Sequence, residues 1–130
     1  MKKMRQLLIL SLLLTLSACG ASLGDRVDSE NLSVYYLENI SKEEAVSFAK
    51  FWRDNGFVGD KKQTIQLTQD DYKVILVKVI ENEAYTMRDL SIDEQSLLSE
   101  LSRTLERKVF KKKRARVVVC DNTFRPLVKE

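Results

Sequence analysis

Two cysteines, Cys19 and Cys120, are the only thiols in the 130 residues, and there is no histidine. Without imidazole the chain lacks the commonest general base and the commonest metal ligand. A serine or cysteine nucleophile likewise lacks its usual activating partner. Acidic pairs occur at Glu43-Glu44, Asp70-Asp71 and Asp93-Glu94. The first and third fall in the opening turns of expected helices, where capping and the helix dipole account for them. The second suits a hairpin turn. Glu81, Glu83, Asp121 and Asn122 could offer oxygens to calcium, but they lack the spacing of a binding loop. Four glycines are present and none is placed to cradle a phosphate. The sequence therefore leads us to expect no catalytic residue, no metal and no cofactor.

Cys19 stands at the end of a particular arrangement. Lys2, Lys3 and Arg5 precede an apolar run from Leu7 to Leu16, broken only by Ser11 and Thr15. That is the form of a basic n-region and an h-region. The run is too short for a spanning helix, which needs ~20 apolar residues. It closes on Leu16-Ser17-Ala18-Cys19-Gly20. This resembles the lipobox of bacterial lipoproteins. The resemblance implies diacylglyceryl transfer to the Cys19 sulfur, cleavage before Cys19 to remove residues 1–18, and acylation of the new amino group. It also implies a place in the cell envelope. With Gly20 after the cysteine rather than aspartate, that is the outer membrane facing the periplasm in a Gram-negative cell, and otherwise the outer face of the plasma membrane. Several acyl chains anchor firmly, each buried CH₂ contributing ~0.8 kcal/mol, whereas one chain alone is marginal. The competing reading is a plain secreted protein cleaved after Ala18. In that reading Cys19 is free or oxidised; with Cys19 consumed by lipid, Cys120 has no intrachain partner in an oxidising compartment, and its place after Val117-Val118-Val119 predicts a buried, inert thiol.

Processing changes the charge. The whole chain carries 22 basic and 19 acidic residues. Loss of Lys2, Lys3 and Arg5 leaves 19 of each, so the basic balance belongs to the precursor and does not argue for nucleic acid as a partner. The charges are unevenly distributed. Residues 19–102 hold nine bases and sixteen acids; residues 103–130 hold ten bases and three acids. The densest part is Lys108 to Arg116, and within it Lys111, Lys112, Lys113 and Arg114 are consecutive. These four are the candidate partner-binding residues, for an anionic envelope surface such as lipid head groups or an acidic protein face. The plain alternative is a solvated helix end, where cations are favoured, beside a strand protected by lysines.

The elements that would position them follow from patterning. Residues 19–31 read as a lipidated cysteine and a small, polar tether, and residues 32–130 as a single domain. Leu32 to Glu38 is β-branched and aromatic, as in a strand. Ser41-Lys42-Glu43-Glu44 is a capping box, with Ile40 and Ala45 at the staple positions. Ala45, Phe48, Ala49 and Trp52 then repeat at helical spacing, and Asn55-Gly56 ends the helix. Thr64–Thr68 and Tyr72–Ile80 predict a hairpin, the second strand apolar on both faces and therefore interior. A second capping box at Ser91-Ile92-Asp93-Glu94 opens a helix lined by Leu97, Leu98, Leu101 and Leu105, ending near Lys108. Arg114 to Cys120 is a late strand, and Phe124–Val128, holding Pro126, an edge strand.

The order is β-α-β-β-α-β-(β). It predicts an α+β two-layer sandwich, two helices on one face of a four- or five-stranded antiparallel or mixed sheet, similar to the ferredoxin-like or split-βαβ arrangement. Gly56-Phe57 and Cys120-Asp121 also resemble positions in a small uncharacterised module of bacterial envelope proteins, a resemblance that implies no activity. Two functional readings result. One is a lipid-anchored binding or scaffold module; the other is a small hydrolase or ligand-binding domain with an unfamiliar site.

Overall fold

The computed structural model describes residues 23–81 and 92–127, with the side chains of residues 92–94 left aside. Cys19 with the leader, Glu83 and Ser91 of the second capping box lie outside the described residues. The elements are β1 (Asp25–Ser29), β2 (Leu32–Tyr36), α1 (Lys42–Asp54), β3 (Gln63–Gln69), β4 (Ile75–Ile80), α2 (Ile92–Lys108) and β5 (Ala115–Cys120). The strands form one sheet in the order β1-β2-β3-β4-β5. β1–β2 and β3–β4 are antiparallel, β2–β3 and β4–β5 parallel. The α+β sandwich with a mixed sheet is therefore the observed fold.

Three details depart from the sequence reading. Each helix connects strands that are direct neighbours, so the sheet is sequential and not interleaved as in a split βαβ. Asp25–Ser29, read as tether, is the edge strand β1. It carries one apolar residue, Val27, which leaves no alternation to read; pairing with β2 orders it instead. Arg53 Nη1 donates to Ser29 Oγ at 2.6 Å, and Ser33 Oγ donates to Asp28 Oδ1 at 2.8 Å. At the other end, the described part of the expected strand Phe124–Val128, which stops at Leu127, makes an antiparallel bridge between Cys120 and Pro126 and a bond from Leu127 N to Val119 O at 2.9 Å.

α1 forms as its sequence dictates. Ser41 Oγ accepts from Glu44 N at 3.1 Å and Glu44 Oε1 accepts from Ser41 N at 3.0 Å, closing both halves of the capping box. Ala45, Phe48, Ala49 and Trp52 are buried. Gly56, at φ 78°, takes the left-handed conformation after the Asn55 cap. In α2 the stripe is Leu98, Leu101 and Leu105, whereas Leu97 is 62% exposed and belongs to the solvent side. Both helices and one face of the sheet share a single core, in which Leu32, Val34, Ile65, Leu67, Ile75, Val77 and Val79 are fully buried. A row of aromatics fills the space between the helices. Phe48 stacks on Trp52 at 5.2 Å and on Phe110 at 6.3 Å. Each such side chain contributes ~1.5–3 kcal/mol by leaving water. Cys120 is buried, and burial pushes its thiol up to about 11, as an inert core position requires.

Candidate functional site

The basic turn is built by the way α2 ends. Leu105 O accepts from both Val109 N and Phe110 N at 2.9 Å, and Val109 and Phe110 turn into the core. The chain must then reverse to start β5. It does so through Lys111 at φ 49° and Lys112 at φ 77°, two consecutive residues in the left-handed region. Glu106 O accepts from Lys112 N at 2.8 Å and Phe110 O from Lys113 N at 3.2 Å. Arg114 O accepts from Ile75 N at 2.8 Å, which joins the turn to the sheet. A conformation that glycine or asparagine would adopt at lower cost is thus held by lysine twice, between a buried Phe110 and a hydrogen-bonded strand.

The four predicted residues do not act as one group. All are exposed. Lys113 Nζ reaches Glu44 Oε2 at 3.0 Å and ties the turn to the first turn of α1. Glu44 is 15% exposed and serves the cap and the ion pair at once. Burial alone would raise its carboxyl, but the bond from the Ser41 backbone N–H and the Lys113 ammonium outweigh that and hold it below the ordinary glutamate value. Lys113 is therefore a positioning residue. Among the described residues no carboxylate lies within 4.0 Å of the Lys111, Lys112 or Arg114 charges, so these three are available to a partner.

Two open grooves flank the turn. One, of about 350 Å³, is lined by Ser41, Glu43, Ser47, Phe110 and Lys111. The other, of about 290 Å³, brings Arg103, Arg114 and Arg116 together beside Ser99, Asp70 and Glu106. Arg103 and Arg116 were not among the predicted site residues. The signal for Arg116 is the i, i+2 spacing from Arg114, which puts both on one side of an extended segment; Arg103 has no local signal. Among the described residues no group of three or more acidic or cysteine side chains could hold a metal ion, and no helix is long and apolar enough to cross a membrane. Comparison with protein-family models, with curated proteins and with solved structures gave no match.

Proposed function

We propose that this chain is a bacterial lipoprotein whose α+β domain works as a binding or scaffold module, held in the cell envelope by lipid on Cys19 and docking an anionic partner through Lys111, Lys112 and Arg114. The observation that carries the docking half is the turn itself. Three cations with no carboxylate partner among the described residues stand on a strained reversal whose shape is imposed by Phe110, Lys113 and the edge of the sheet. Strain of this kind, held by surrounding structure, is a pointer to function. The lipobox Leu16-Ser17-Ala18-Cys19 carries the anchoring half.

Mass spectrometry of the native N-terminus tests the anchor. A lipidated chain beginning at Cys19 is expected, and Cys19→Ser should leave the protein uncleaved or unlipidated. A mature chain that begins at Cys19 without lipid would overturn this half. For docking, the unlipidated chain, carrying Cys19→Ser and beginning at residue 19 without the leader, should sediment with envelope fractions at low salt and be released at high salt, since exposed charge is screened over ~8 Å at physiological ionic strength. Equal sedimentation of the Lys111→Gln, Lys112→Gln, Arg114→Gln variant would reduce the turn to a solvated surface.

A further inference from the structure

The sheet register places the basic turn and the anchored end of the chain together. Asp25 pairs with Tyr36, Tyr36 with Leu67, Gln69 with Ile75, and Ile75 with Ala115. Each link steps across the same end of the sheet. That end therefore collects Leu23 and Gly24 leading into β1, the hairpin turn at residues 70–74, and the basic turn leading into β5. The hairpin turn adds two features. Tyr72 is 82% exposed, the most exposed of the large hydrophobic side chains among the described residues. Lys73, at φ 63°, sits beside it in a turn fixed by Asp70 Oδ1, which accepts from Tyr72 N and Val74 N at 2.9 Å.

From this juxtaposition we infer that the anionic partner is the bilayer itself, and that the domain rests on acidic phospholipid head groups through Lys73, Lys111, Lys112 and Arg114, with Tyr72 at the head-group level. The inference builds on the proposed lipid anchor. Leu23 is four positions after Cys19, a reach of at most ~14 Å, so this end of the sheet cannot leave the membrane surface. The end is also polarised. Asp25, Glu38 and Glu43 carry acidic charge toward β1, β2 and α1, whereas at the β4–β5 corner Asp70, Asp71 and Glu106 are outnumbered by Lys73, Lys111, Lys112, Arg103, Arg114 and Arg116. The two edges stand ~19 Å apart, four strand spacings. A domain that tilts onto its β4–β5 corner brings the cations within the ~8 Å range of the surface field and lets the tether hold the acidic corner farther off. Tyrosine suits such a corner, its ring amphipathic and at home in the interface. Each cation at an anionic surface strengthens partition about fivefold, so removing three should weaken it on the order of a hundredfold.

The test uses the full lipidated chain, reconstituted into phosphatidylcholine vesicles with and without phosphatidylglycerol and with a head-group spin-labelled lipid as quencher. Tyr72→Trp reports the proposed contact, and Asn122→Trp reports the opposite end of the sheet, just past Cys120. Trp52, the one native tryptophan, is 1% exposed and gives a silent background. The expected result is strong quenching of Tyr72→Trp only in phosphatidylglycerol vesicles at low salt, little quenching of Asn122→Trp, and loss of the effect when Lys111, Lys112 and Arg114 become glutamine. Equal quenching at the two ends, or quenching that ignores phosphatidylglycerol, would overturn the inference. So would binding of the unlipidated chain, carrying Cys19→Ser and beginning at residue 19 without the leader, to envelope protein and not to the anionic vesicles. Flotation at about 1 M salt, where screening falls to ~3 Å, reports the anchor separately. Loss of flotation there with retained low-salt quenching would reject the anchor and keep the surface.

Discussion

Glu44 shows how one side chain can link local and distant structure. One carboxylate oxygen closes the α1 cap and the other holds Lys113. Glu44→Gln keeps the capping acceptor and loses the ion pair, so it should destabilise the domain by about 0.5–1 kcal/mol. The pH dependence has a definite sign. Because the folded carboxyl lies below its ordinary value of 4.5, its contribution is complete above that value and is lost as pH falls through the lower folded one. Denaturant melts of wild type and Glu44→Gln should therefore differ at neutral pH and converge in acid. Lys112 supplies the opposite case. At φ 77° it is strained, so Lys112→Gly should raise the unfolding free energy by up to ~1 kcal/mol, while Lys112→Gln leaves it nearly unchanged. If glycine gives no gain, the turn is not strained and the argument from strain fails. The cap was legible in the sequence because its partners are three residues apart. The Lys113 bond was not, because its ends are 69 positions apart and only the fold, which sets the turn after α2 beside the first turn of α1, brings them together.

At the scale of elements, periodicity succeeded where a segment buries a whole stripe and failed where burial is slight. α1 has a clear pattern and formed as expected; β4 is interior as expected but begins at Ile75, since the residues expected to open it, Tyr72 to Val74, are held in the hairpin turn by Asp70. β1 buries little beyond Val27, so its order comes from β2 and not from its own sequence. In α2 the four leucines fit more than one helical phase. The phase chosen by packing buries Leu105 completely and leaves Leu97 outside. Leu105→Ala should then cost ~2–5 kcal/mol and Leu97→Ala should fall within about 0.5 kcal/mol of wild type. Comparable losses from the two would mean that the helix is rotated relative to the sheet. The consequence reaches the site, because the phase of α2 decides where Phe110 enters the core and hence where the lysines emerge.

At the scale of the molecule, the basic cluster was visible as a run of letters, but its meaning depended on topology. Lys73 and Tyr72 are about forty residues from Lys111 in sequence, and the pairing of β3, β4 and β5 makes them neighbours at one end of the sheet. No spacing rule connects them. The central claim is that three charges on this fixed turn bind an anionic surface, and that charge and not side-chain identity does the binding. The most direct measurement compares salt-dependent sedimentation with anionic vesicles of the unlipidated chain, carrying Cys19→Ser and beginning at residue 19 without the leader, in three forms: otherwise wild type, the triple glutamine variant, and a charge-conserving variant carrying Lys111→Arg, Lys112→Arg and Arg114→Lys. The account predicts that wild type and the charge-conserving form bind alike at low salt and release as salt rises. The glutamine form should bind on the order of a hundredfold more weakly, with an unchanged melting curve. Equal binding by all three forms would contradict it.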